Sequence, residues 1–218
     1  MSYWNILLVD SSASMSSNSE AVNKGIVDLF TVQKDNTDRF TFLTFNTEVN
    51  LIIDANFNEI MPEDITSAIK NNGLTALYDA VGYVYEMIIP VDSNKPENIL
   101  LSVITDGYEN SSKKYTLTSL RNLRKIVDKN CNLNVTFISE NKNVLDANSA
   151  IISHANESCE VNGDYMKALR TVSRGMSNAR NSNENREYSI EENERSSSRE
   201  PLLKRQVSND KKKRPRLF

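Results

Sequence analysis

Asn5-Ile-Leu-Leu-Val-Asp-Ser-Ser-Ala-Ser14 decides how this chain is read. Ile6 to Val9 is a continuous apolar run, the pattern of a strand buried on both faces of a parallel sheet. It ends in Asp10, Ser12 and Ser14, one carboxylate and two hydroxyls alternating with Ser11 and Ala13. Small oxygen-bearing side chains on a tight turn at the carboxyl end of a central strand suit a hard divalent cation such as Mg²⁺. In open α/β sheets, binding sites gather at that edge. A helix cap and turn would use the same residue types, so the stretch needs support from elsewhere in the chain.

Two later segments give it. Asn72-Gly-Leu-Thr-Ala-Leu-Tyr-Asp-Ala80 places Thr75 between a glycine and a long apolar-periodic helix. Leu101-Ser-Val-Ile-Thr-Asp-Gly107 is a second buried strand, ending in Asp106. With these residues in place the chain resembles the von Willebrand factor A family, whose metal-ion-dependent adhesion site combines an Asp-x-Ser-x-Ser turn, a Thr and an Asp on three separate loops. The resemblance extends over about residues 3–175, and the strings Ala-Leu-Tyr-Asp-Ala and Thr-Asp-Gly-x-Glu-Asn are similar to those of intracellular and bacterial members. It implies an α/β fold, a doubly wound and mostly parallel sheet with helices on both faces. It also implies five metal ligands, with Ser12, Ser14 and Thr75 supplying hydroxyls and Asp10 and Asp106 acting largely through bound water. The cation is expected to be Mg²⁺, with Mn²⁺ or Ca²⁺ as alternatives. An Asp or Glu from a protein partner then completes the coordination, which makes the chain a binding module.

At 218 residues the chain is long enough for one substantial core. Charge divides it. Residues 178–218 carry 11 Lys and Arg against 7 Asp and Glu, a balance of +4, so residues 1–177 hold −7 of the total −3. The expected organisation is therefore an acidic folded domain over 1–177 and a polar, disordered tail over 178–218. Lys211-Lys-Lys-Arg-Pro-Arg216 makes a basic cluster in that tail, a candidate nuclear-import signal or nucleic-acid contact. The first strand starts almost at Met1, which leaves no room for a signal peptide. No apolar run approaches the roughly 18 residues of a membrane span. An intracellular place, cytoplasm or nucleus, is the expectation. Cys131 and Cys159 read as small buried residues rather than as a bridge or metal pair.

Strand and helix signals alternate along the chain. Strands are expected at 3–9, 39–45, 49–53, 98–105, 132–138 and 157–161, with 49–53 an antiparallel edge strand paired to 39–45. Helices are expected at 18–33, capped by Ser17 or Asn18, and at 62–69, 77–89, 117–129, 145–154 and 165–173. Such alternation calls for a parallel-dominated sheet with helices on both faces. Beyond Gly175 the apolar periodicity stops.

Two other functions compete. Asp10 at a strand end, with Asp106 at another, also sketches a Mg²⁺-dependent aspartyl phosphatase in which Asp10 is the nucleophile. That chemistry wants an acid two residues after the nucleophile, where this chain has Ser12, and a pair of acids beside Asp106, which is absent. A metal-free adaptor docking by its helices is the other. His154, the sole histidine, reads as a helix-end cap rather than a catalyst, so no enzyme activity is expected. Asp79, four residues after Thr75, reads as a packing or capping acid. Glu109 and Tyr108 sit on the expected rim, with Glu109 either shaping the partner surface or simply solvated.

Overall fold

β1 (Tyr3–Asp10) is buried along its whole length and lies inside a six-stranded sheet of order β3-β2-β1-β4-β5-β6. The computed structural model describes residues 3–34, 37–90, 98–148, 151, 157–160 and 164–181. The other strands are β2 (Arg39–Phe45), β3 (Val49–Asn56), β4 (Asn98–Ile104), β5 (Asn132–Ser139) and β6 (Glu157–Glu160). All pairings are parallel except β2 with β3. The helices are α1 (Ser19–Gln33), α2 (Pro62–Thr66), α3 (Leu77–Ile88), α4 (Leu117–Asn130), α5 (Lys142–Asn148) and α6 (Tyr165–Asn181). The doubly wound, mostly parallel sheet with one antiparallel edge is thus the observed architecture.

Alternation along the strands divides the interior in two. Leu7, Val9, Phe40, Phe42, Leu100 and Ile104 meet the apolar side of α1 and α6. Ile6, Leu8, Leu43, Phe45, Leu101 and Val103 meet α3 and α4. Because β1 feeds both layers, it has no polar face, which is why its sequence reads as a solid apolar run. Phe30 of α1 stands edge-on to Phe40 at 4.9 Å between centroids, and Phe57 lies against Phe40 at 4.4 Å.

At the opposite end of the sheet from the Asp10 turn, the Trp4 indole N–H donates to the Thr41 hydroxyl at 2.6 Å. The Arg39 guanidinium covers the Trp4 ring at 3.9 Å and pairs with Asp54 across the β2–β3 ladder. That pair ties the antiparallel edge strand down. The register slips between Phe42 and Leu43, whose partners are Ile53 and Leu51, so Ile52 is the extra residue of a bulge.

Arg124 is the one arginine among the buried polar and charged residues described. Its Nε donates to Asp128 at 2.6 Å, its Nη2 to the Leu133 carbonyl at 2.7 Å, and the buried Tyr85 hydroxyl lies against it. Removing the guanidinium strands these groups, so Arg124→Ala is expected to cost about 2–3 kcal/mol in urea unfolding. Arg124→Lys, which keeps the charge but loses the fork, should recover less than half of that.

Several expectations shift. The last helix does not stop at 173 but runs to Asn181, past the 177 boundary, and Met176 is buried against the α1 side of the core. Gly175 is buried too, and the helix runs through it. Asn18 precedes α1 but makes no side-chain cap, since its own backbone is already helical where a 3₁₀ turn over Ala13–Ser17 runs into the helix. Cys131 closes α4; it is half-buried, in no disulfide, and its thiol lies against the Val127 carbonyl at 3.5 Å. α5 covers Lys142–Asn148, beginning three residues before the expected 145, and the rest of the expected helix falls largely outside the described residues. His154 and the tail cluster Lys211 to Arg216 lie outside the described residues.

Candidate functional site

The site is built at the carboxyl edge of β1 and β4 by three loops. In the first, the Ser12 N–H turns back to the Asp10 carboxylate at 2.7 Å, an Asx turn that leads straight into the 3₁₀ segment. Ser11 is spent on anchorage: both its N–H and its hydroxyl reach the Phe45 carbonyl at the end of β2. In the second, Gly73 takes a φ of +72°, and a Cβ there would stand 2.7 Å from the Thr47 hydroxyl oxygen. Only glycine fits that turn comfortably. The Ala13 N–H donates to the Gly73 carbonyl and the Asn72 N–H to the Ser11 carbonyl, so these two loops are stitched together.

The third loop follows β4. Asp106 is half-buried, and its Oδ1 accepts the Ser14 hydroxyl at 2.6 Å. The Ser14 and Ser12 hydroxyl oxygens are 3.1 Å apart. Asp10, Ser12, Ser14 and Asp106 therefore form one continuous chain of hydrogen bonds. Thr75 is brought to the same edge. Its N–H donates to the Asn110 side chain at 2.9 Å, its carbonyl accepts the Asn110 N–H at 3.0 Å, and its hydroxyl lies 2.9 Å from where a Cβ on Gly107 would be. All five residues singled out in the sequence thus meet at one end of the sheet.

Asp10 is fully buried. Burial raises its carboxyl above the usual range, and the Asp106 carboxylate adds to the rise, while hydrogen bonds from Thr105 and Ser12 oppose it. No Lys or Arg among the described residues pairs with either acid. Among those residues no three His, Cys, Asp or Glu side chains gather, so the donor set is two carboxylates and three hydroxyls. Oxygen-only donors and two uncompensated acids fit a hard divalent cation and fit zinc poorly.

Thr105 escaped the sequence reading, while Asp79 and Glu109 were named by it without their partners. The buried Thr105 hydroxyl donates to Asp10 Oδ2 at 2.7 Å, so both carboxylate oxygens are held, one on each side. Asp79, in the first turn of α3, accepts the N–H groups of Lys113, Lys114 and Tyr115, which bears out its structural role. Glu109 is half-buried and spends its carboxylate on its own loop and the start of α3. It accepts from the N–H groups of Tyr78, Ser111 and Ser112 and from the Ser112 hydroxyl. The loop from Asp106 to Thr116 has little regular structure of its own, and these two acids hold it in place. Tyr165 also belongs to this end: burial raises its hydroxyl's pKa, with the Glu140 and Asp106 carboxylates adding to the rise. A Cβ at position 107 would press on Thr75, so Gly107→Ala is expected to abolish any cation response while lowering Tm by only a few degrees, read by thermal shift with and without Mg²⁺.

Comparison with known proteins agrees with the fold. The von Willebrand factor type A domain model matches residues 6–161. Among solved structures, a von Willebrand factor type A protein from Catenulispora acidiphila superposes with a TM-score of 0.56 at 12% identity over 79% of this chain and 42% of that one. The PilB minor pilin from Streptococcus sanguinis gives 0.60 at 12% identity over 81% and 61%, and the pilus adhesin SpaC from Lactobacillus rhamnosus GG gives 0.59 at 11% over 80% and 30%. At these identities the likeness is one of fold, and the chain spans between 30% and 61% of the three proteins. No curated protein matches it in sequence. The chain belongs to the von Willebrand factor type A domain family.

Proposed function

We propose that this domain is a Mg²⁺-dependent protein-interaction module whose site, Asp10, Ser12, Ser14, Thr75 and Asp106, captures a carboxylate from a protein partner. The observation that carries the reading is the buried Asp10 and half-buried Asp106, joined through Ser12 and Ser14 with no cationic side chain among the described residues paired to either. Domains of this family commonly serve as interaction or adhesion modules, and the SpaC neighbour is a pilus adhesin by name. A divalent cation held there supplies positive charge and an open coordination position to an incoming Asp or Glu. The chain's own part is rigidity. Thr105 and the Ser12 N–H fix both oxygens of Asp10, Ser14 is aimed at Asp106, and the Asn110 clip sets Thr75.

A hydrolytic role has less support. Asp10 has no exposed surface and both oxygens engaged, a poor posture for a nucleophile, and the position of a leaving-group acid is held by Ser12. The test is capture of partners from an extract on immobilised protein. Retention in Mg²⁺ that is lost with chelator and with Asp10→Ala supports the proposal. Retention indifferent to both leaves the metal-free adaptor. The basic cluster Lys211 to Arg216 is carried forward as a separate proposal, an import signal, tested by fusing residues 199–218 to a fluorescent protein and scoring nuclear accumulation.

A further inference from the structure

The rim of the site is almost wholly small and polar: Ser14, Asn46, Thr47, Asn72 and Asn110. Two side chains break that pattern. Leu74 is 56% exposed and immediately precedes Thr75; Tyr108 is 49% exposed and lies two residues beyond Asp106. Single exposed apolar residues are ordinary on any protein surface. Here, however, they stand on two of the three loops that carry the site. None of the other six large exposed apolar residues described, Val27, Val32, Leu51, Met61, Tyr83 and Ile126, adjoins a site residue in sequence.

Both are carried on pinned backbone. The Leu74 N–H donates to the Thr47 hydroxyl at 3.1 Å, and the Gly73 carbonyl before it accepts from Ala13. The reciprocal Thr75–Asn110 pair clips the Leu74 loop to the Tyr108 loop, and Glu109 fastens the residue next to Tyr108 to the start of α3. An aliphatic and an aromatic group held this way lose little freedom when covered, so their burial goes into affinity instead of being spent on ordering the loops.

We propose that Leu74 and Tyr108 are specificity-determining residues that select a protein segment in which the captured Asp or Glu has a large apolar side chain beside it. This rests on the metal-dependent capture proposed above. A carboxylate alone is common on protein surfaces and would be a poor criterion; an apolar neighbour on a rigid rim adds the discrimination the cation cannot supply.

The test uses the full chain and two immobilised synthetic peptides of equal charge, Gly-Ser-Glu-Ser-Gly and Gly-Phe-Glu-Leu-Gly. In Mg²⁺ the apolar peptide is expected to bind about tenfold more tightly. The Leu74→Ser, Tyr108→Ser double variant should erase that difference while keeping the wild-type thermal response to Mg²⁺. Mg²⁺-dependent binding without an apolar preference, or a preference that survives in the double variant, overturns this inference and leaves carboxylate capture standing. Binding of both peptides that is unchanged by chelator, or absent in Mg²⁺, overturns the capture reading, and the inference falls with it.

Discussion

Replacing Asp10 by asparagine is expected to leave the metal-free protein at least as stable as the wild type at pH 7, and to remove the response to Mg²⁺ that the proposed site requires. The first half follows from burial. Asp10 is folded away with its carboxyl raised above the ordinary range, chiefly by desolvation and further by Asp106. A group whose folded pKa is raised contributes stability that is fully present below its unfolded pKa and lost as pH rises through the folded value. In metal-free protein the ionised Asp10 therefore works against folding at neutral pH, and asparagine is spared that cost. Its amide can still accept from the Ser12 N–H and donate to the Thr105 hydroxyl, which can turn its proton to the Gly107 carbonyl. The difference in stability between variant and wild type should shrink as the pH falls from neutral into the carboxylate range. The second half follows from linkage. If the proposed site binds Mg²⁺, the wild type at 100 times the Kd should gain about 2.7 kcal/mol, about 5–10 °C in Tm for a chain of this size. Asparagine has lost the charge that repays the cation's dehydration. A wild type that outlasts the asparagine variant in chelator would show that Asp10 is stabilised by something other than a missing cation.

Asp79→Ala is expected to weaken Mg²⁺ binding although residue 79 touches none of the five site side chains. Its carboxylate takes three backbone N–H groups at 2.8–2.9 Å, from Lys113, Lys114 and Tyr115. Hydrogen bonds to an ionised acceptor are the stronger kind, and allowing for their partial exposure the set contributes about 2–4 kcal/mol. Without it the segment leading into α4 is released, and with it the purchase that keeps Gly107 against Thr75 and Asp106 against Ser14. Supporting residues of metal sites typically change affinity by about 10–100-fold when lost. Amide exchange at 113–115 should accelerate in the alanine variant, and Asp79→Asn, which keeps one acceptor oxygen, should fall between. Unaltered Mg²⁺ affinity alongside faster exchange would mean the loop can open without moving Asp106.

What the sequence discloses and what it conceals divide along physical lines. The central strand was legible because burial on two faces leaves an apolar run with no alternation, a feature β4 largely shares, whereas β2 and β5 are as buried but interleave Thr or Asn with their apolar residues. The antiparallel edge was legible because two apolar runs sit three residues apart. The site residues were legible only in part: Asp10, Ser12 and Ser14 are one local turn, whereas Thr75 and Asp106 join them through tertiary structure and were connected by family resemblance. The end of α6 was misread because Gly175 looks like a stop. It is instead a buried residue inside the helix, and Met176 one position later carries the periodicity on. Asp79 was legible as a structural acid, though not its partners over thirty residues away. Glu109 and Thr105 were the hardest, since the Glu109 bond to the Tyr78 N–H has no spacing to betray it and Thr105 differs from a neighbouring strand residue only in where its hydroxyl ends up.

Calorimetric titration of Mg²⁺ into the full chain, with Asp10→Ala alongside and a Glu-containing peptide present in both cells, addresses the central claim most directly. A single saturable site in the wild type, absent from the variant, is the predicted result. Equal heats in both proteins, or no saturable binding at millimolar Mg²⁺ or Mn²⁺ with the peptide present, would contradict it.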